Sequence, residues 1–169
     1  YDTGTFHIYY AGCQNDQIYH IGHAESADGI AWTSRAKVMD AGPGGSWYDG
    51  AVTGPSVIVE DGNYHMWFSA YDGTEWSIGY ASSADNGASW TGQTQVLTKG
   101  AASNFDESGV LDPSVYFDGA TFHIWYTGVN SANEIAIGYT STPVASPGAI
   151  LTNAAVPLTN LEPGPNGSY

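Results

Sequence analysis

One aromatic phrase recurs at a fixed interval, and that recurrence restricts the fold more than any other feature of the chain. Phe6-His7-Ile8-Tyr9-Tyr10 returns as Tyr64-His65-Met66-Trp67-Phe68 and again as Phe122-His123-Ile124-Trp125-Tyr126, 58 residues apart each time. Trp32 and Trp90 keep that interval, as do Trp47 and Phe105, and Gly54-Pro55-Ser56-Val57 answers to Asp112-Pro113-Ser114-Val115. Ile21-Gly22-His23-Ala24, Ile78-Gly79-Tyr80-Ala81 and Ile137-Gly138-Tyr139-Thr140 form a further set, displaced by a residue or so. Such a period marks a repeat architecture whose units bury their faces against one another.

Local chemistry divides each copy into strands. Pro55 to Val59 and Pro113 to Phe117 are short β-branched or aromatic runs, with Pro expected as the first strand residue. Asp61-Gly62 and Asp118-Gly119 are hairpin-turn signals, and Asp2-Thr3-Gly4 takes that part in the first copy. The aromatic run alternates with period two, the Ile-Gly-Tyr/His run is a third strand, and fourth strands are expected near Ala36 to Met39, Gln95 to Leu97 and between Ile150 and Leu158. Helical solenoids fail for want of a 3.6-residue period, and a β-sandwich has no need of a regular echo. The predicted fold is therefore all-β: a partial β-propeller of about three four-stranded blades, the first missing its inner strand. It forms one domain over residues 1–169, with repeats at about 1–53, 54–111 and 112–169.

Composition agrees, since 22 Gly, 12 Tyr, 6 Trp and 5 Phe accompany few of the residues that build surface helices. Seventeen acidic residues face only Arg35, Lys37 and Lys99, for a formal charge of -14. A chain so acidic repels polyanions, so neither nucleic acid nor an anionic membrane is expected as a partner. Cys13 is the only cysteine, which excludes an intrachain disulfide and a thiolate metal cluster. No apolar run reaches the length of a membrane span, and no basic-then-apolar leader is expected. A ring left open exposes blade faces and a sheet edge, so the chain is expected to be a piece of a larger ring or to complete one as a homo-oligomer, a folded-back tail being the third outcome.

Ser83-Ala84-Asp85-Asn86-Gly87-Ala88-Ser89-Trp90 fits the S-x-D-x-G-x-x-W pattern, which resembles the Asp box of sialidase-type propellers, and Ser26 to Trp32 is the same pattern shortened by one residue. Its role is architectural: the carboxylate accepts turn N–H groups, Gly takes a positive φ and Trp packs beneath. Sialidase activity is not expected, because such enzymes hold their substrate with an arginine cluster and Arg35 is the sole arginine. His7, His65 and His123 recur at one position and answer a recurring packing need. His20 and His23, three apart in a strand, face opposite sides and are not expected to share a metal. No metal site or cofactor is assigned, and Ca²⁺ in the channel stays open.

Asp112 opens the inner strand of the third copy where Gly54 stands in the second, and inner-strand starts of a propeller face the central channel. Trp47, Tyr48, Asp49 and Asp106 are placed around the same mouth. Aromatic and acidic side chains together suit sugars, whose C–H faces stack on rings while hydroxyls donate to carboxylates.

Gly50 to Ser69, Ile78-Gly-Tyr-Ala-Ser-Ser83 and Val110-Leu-Asp-Pro-Ser-Val115 resemble the blades of the five-bladed propeller glycosidases, which include the arabinanases and xylosidases of glycoside hydrolase family 43 and the invertases and levansucrases. The resemblance runs to about residue 142. It implies that Asp112, as an Asp before Pro on an inner strand, serves as general base, nucleophile or pKa-setting partner. It also implies an extracellular or periplasmic protein. Those enzymes need a Glu general acid from another inner strand, and Gly54 occupies the only other such start. Glu75 and Glu134 share one repeat position where a turn role is expected. The expected function is a module binding a neutral glycan, non-catalytic as an isolated chain. The alternative is a glycosidase for arabinan-, xylan- or fructan-type substrates whose ring and acid/base pair are completed by self-assembly.

Overall fold

In the computed structural model, which describes residues 1, 4–13 and 18–154, ten strands follow one another with no helix among the described residues. They are β1 (Phe6–Cys13), β2 (Tyr19–Ser26), β3 (Thr33–Met39), β4 (Ala51–Glu60), β5 (Asn63–Tyr71), β6 (Trp76–Ser83), β7 (Thr91–Leu97), β8 (Gly109–Phe117), β9 (Thr121–Val129) and β10 (Ile135–Pro143). All pairings are antiparallel between sequence neighbours, and they make three sheets: β1 to β3, β4 to β7 and β8 to β10. These are the three blades. The first begins, as expected, at its second strand. In the third blade, the described part of the expected fourth strand is not a strand. Leu151 instead donates its N–H to the Val96 carbonyl at 2.7 Å, and Asn153 Nδ2 donates to the Thr98 carbonyl at 2.9 Å. This segment thus runs back to the second blade. The rest of that expected strand, and Asp2-Thr3, lie outside the described residues.

The period-two alternation decides which blade each side chain meets. Along β5, Tyr64, Met66, Phe68 and Ala70 join a core with Ile21 and Met39 of the first blade. Trp67, from the opposite face, joins Val110, Phe122, Ile124 and Tyr126 of the third. The central blade is therefore covered on both faces, and each large side chain fully removed from water contributes about 1.5–3 kcal/mol. Each inner strand packs across the blade before it: β4 over β1 and β2, and β8 over β4, β5 and β6.

The third-strand glycine is a packing device. Gly22, Gly79 and Gly138 pair across the ladder with Tyr10, Phe68 and Tyr126. A Cβ on Gly79 would run into Phe68 and Trp47, and one on Gly138 would run into Tyr126. The ring of the neighbouring strand lies over the bare backbone in every blade.

The inner strands correct one expectation. Pro55 and Pro113 do not open their strands; β4 and β8 begin four residues earlier, at Ala51 and Gly109. The ladder shifts register between Thr53 and Ser56 and between Leu111 and Ser114. Gly54 and Asp112, each preceding the proline, take φ of 54° and 50°. A bulge at this point lets the strand carry a residue with no N–H to donate.

Turn chemistry fixes the outer hairpins. Asp61 and Gly62 both take positive φ, 46° and 76°, as a tight two-residue hairpin requires. In the Ser83 to Trp90 turn, Asp85 accepts the Ser83 hydroxyl at 2.6 Å and the Ser89 N–H at 2.9 Å, while Trp90 Nε1 donates to the Gly87 carbonyl at 3.1 Å. Asp28 accepts the N–H groups of Ile30 and Ala31 in the shorter first-blade version.

Candidate functional site on the inner strands and the loops that lead into them

Asp112 lies in β8 at the bulge and is exposed. Its N–H donates to Ser69 Oγ of the second blade at 2.7 Å, and three residues on Val115 N–H donates to Ser56 Oγ at 3.0 Å. These hydroxyls thus accept amides of the third blade across the blade boundary. Gly54 faces this residue: a Cβ there would stand 3.0 Å from Asp112 Oδ1 and 3.1 Å from Ser69 Oγ. An Asp with left-handed φ ahead of a proline is a strained arrangement, held because both flanking ladders and the two serines determine it. The result is a solvent-facing carboxylate on one inner strand and a bare backbone on the next.

Trp47, Tyr48 and Asp49 belong to the loop that leads from β3 into β4. Trp47 is half-buried, with its ring 5.9 Å from Phe68 and 4.7 Å from Tyr48. Asp49 accepts the Gly45 N–H at 2.6 Å and so closes its own loop. Glu107, at the same place one period later, does likewise with the Ser103 and Ser131 N–H groups. The Ser131 hydroxyl, with those N–H groups, holds the Glu107 carboxyl below its usual range.

Trp47 opens onto a cleft of about 460 Å³ that also takes in Asp72, Glu75, Trp76 and Lys99. Lys99 Nζ lies 3.0 Å from Glu75 Oε2, and Trp76 stacks on Tyr71 at 4.9 Å. The Thr74 and Glu75 N–H groups hold the Asp72 carboxyl below its ordinary value. The cleft's volume is in the range of ligand clefts, and its lining is mainly polar, with Trp47 and Trp76 as the aromatic faces. Asp112 is not among its lining residues.

Asp106 does not join this surface. It is fully buried and accepts the Tyr126 hydroxyl at 3.0 Å and Asn153 Nδ2 at 2.8 Å, both on Oδ2. Tyr126 is pushed upward by burial and needs a partner there. The expected contact between Asp106 and a glycan is out of reach in this arrangement, because the carboxylate is sealed beneath the loop at Gly100. Glu134 accepts Asn130 Nδ2 at 2.8 Å, a turn contact. Trp76 and Lys99 escaped the sequence reading. Trp76 opens β6 and Lys99 follows β7, both at the sheet end where the loop enters β4.

Three successive antiparallel sheets, of which the second and third each lay an inner strand across the sheet before, make the chain a β-propeller segment. The chain belongs to the family described as the glycosyl hydrolases family 32 N-terminal domain, which it matches over residues 1–146. An uncharacterized protein of Mycobacterium tuberculosis (strain CDC 1551 / Oshkosh) is 32% identical over 95 residues, covering 53% of this chain and 30% of that protein. Among solved structures, a family 117 glycoside hydrolase of the marine bacterium Zobellia galactanivorans matches with a TM-score of 0.75 at 17% identity, over 90% of this chain and 52% of that one. Fructan 1-exohydrolase IIa of Cichorium intybus matches with a TM-score of 0.71 at 13% identity, over 92% of this chain and 30% of that one. The chain thus spans about half or less of the length of these relatives.

Proposed function

We propose that this chain is a carbohydrate-associated propeller segment that binds a neutral glycan and does not hydrolyse it by itself. The observation that carries the reading is the pairing of Asp112 with Gly54. Glycoside hydrolysis needs two carboxylates, about 5 Å or 6.5–9.5 Å apart according to stereochemistry. The two equivalent inner-strand positions supply one carboxylate and one residue without a side chain. A lone general acid or base forfeits on the order of 10²–10⁴ in rate. Trp47 and Trp76 give the cleft aromatic faces on which sugar rings stack, and Tyr48 and Asp49 shape its loop. The acidic surface suits a neutral ligand over an anionic one.

A second reading follows from the exposed, strained carboxylate at Asp112, a combination found at functional positions. In that reading a second copy of the chain completes the ring and brings the missing acid. The experiment titrates arabino-, xylo- and fructo-oligosaccharides by calorimetry against the chain, Trp47→Ala and Asp112→Asn, and follows hydrolysis alongside light scattering. Binding weakened by Trp47→Ala without turnover supports the binding module. Turnover abolished by Asp112→Asn in a larger assembly supports the enzyme. Neither binding nor turnover with a folded chain overturns both.

A further inference from the structure

The three recurring histidines are not equivalent. In the second blade His65 Nδ1 lies 2.6 Å from the Tyr80 hydroxyl, and in the third His123 Nδ1 lies 2.8 Å from that of Tyr139. The ladder places Ser82 and Ser141 directly opposite these histidines. In the first blade both neighbours differ at once. His23 stands where the other blades have tyrosine, and Glu25 stands opposite His7 where they have serine. His7 Nδ1 is 3.0 Å from His23 Nε2 and 4.0 Å from Glu25 Oε1, and all the potential donor atoms lie within 4.8 Å of one another.

We infer that His7, His23 and Glu25 form a binding site for a divalent transition metal of the Zn²⁺ class. Two imidazole nitrogens and a carboxylate oxygen are the ligand types such ions prefer. Zn–N bonds of about 2.0–2.1 Å in a tetrahedron put donor atoms about 3.3 Å apart, so the three side chains would draw together from spacings that run from 3.0 Å to at most 4.8 Å. An ion would take the place of the His7–His23 hydrogen bond. The two rings lie edge to edge in nearly parallel planes with 5.2 Å between centroids, Tyr9 stacks on His23 at 4.5 Å, and Tyr64 meets His7 edge-on. His23 is 6% exposed, whereas the Glu25 side chain is 42% exposed, so the ion would be held from within and remain open to water for its remaining coordination. A cavity of about 80 Å³ lined by His7, Tyr9 and Tyr64 adjoins the site, larger than one water needs. The ion would stitch β1 to β2 at the contact between the first and second blades.

The other blades supply the control. His23→Tyr restores the histidine–tyrosine pair that the repeat uses elsewhere, and Glu25→Ser restores its opposite residue, so both variants are expected to fold. The chain is stripped with chelator and titrated with Zn²⁺ by calorimetry, with Co²⁺ absorption reading the coordination number. The expected result is one ion per chain, a four- or five-coordinate Co²⁺ spectrum and a Zn²⁺-dependent rise in Tm. His23→Tyr should abolish all three while keeping the metal-free Tm, and Glu25→Ser should weaken binding by at least about tenfold. No binding by the parent chain overturns the inference. So does binding unchanged in both variants, including the case where it is lost in His20→Gln and therefore belongs to His20 and Asp40, 3.1 Å apart on the opposite face.

Discussion

Gly54 of β4 and Asp112 of β8 hold the same place in successive inner strands, and both adopt left-handed φ, 54° and 50°. Only one of them is free of strain there, because a side chain in that region costs on the order of 1–2 kcal/mol. Asp112→Gly is therefore expected to raise stability by up to about 1 kcal/mol, or about 2–4 °C in Tm for a chain of this size. Gly54→Ala is expected to lower it by about 1–2 kcal/mol, since its Cβ also crowds Asp112 Oδ1 at 3.0 Å. Thermal unfolding of the two variants checks both signs. A loss of stability in Asp112→Gly would show that the carboxylate supports the fold and is not held there for a ligand.

The ring-over-glycine arrangement makes a graded prediction. Gly79→Ala and Gly138→Ala push a methyl into Phe68 and Tyr126, both fully packed, and are expected to cost about 1–3 kcal/mol. Gly22→Ala meets Tyr10 at 2.6 Å, but that ring is 36% exposed and can swing away, so the cost should be smaller. Urea midpoints for the three variants test the order.

Acid should weaken two of the turns within a defined window. Asp85 is lowered to about 2 by hydrogen bonds from Ser83, the Ser89 side chain and the Ser89 N–H, and Asp118 to about 2 by His123 and the Ala120 and Thr121 N–H groups. Both ordinarily titrate at 3.8, so their contribution is complete above that pH and disappears as pH falls toward about 2. Tm should fall across this window in the parent chain and fall less steeply in Asp85→Asn and Asp118→Asn.

His65 should titrate below the ordinary imidazole value of 6.5, because burial against Phe122 and Trp67 penalises its charged form. Its neutral form favours the folded chain above pH 6.5, and that contribution is lost as pH falls through the lowered value. NMR titration of the His65 ring gives the midpoint directly, and a midpoint at or above 6.5 would contradict the packing described here.

The blade order was legible because a 58-residue echo survives in residues that face a neighbouring sheet, where packing demands the same shapes each time. Asp61-Gly62 was legible because few dipeptides tolerate two positive φ values in succession. The bulges were not, since nothing in Leu-Asp-Pro-Ser announces that Asp112 turns left-handed and that Pro113 lies inside a strand. Asp49 and Asp106 look alike in sequence, yet one caps its loop near the surface and the other lies fully buried beside Tyr126. That difference arises from which loop closes over which blade. The grouping of Glu25 with His7 depends on the β1–β2 register, which a pattern of alternation leaves free.

The hydroxyls of Ser69 and Ser56, which receive the Asp112 and Val115 amides, couple adjacent blades through the main chain as well as through apolar contact. Opening the second sheet would strip two amides of the third of their acceptors at once. The propeller segment is thus predisposed to melt as one cooperative unit, and disturbance at either serine would be felt directly at Asp112.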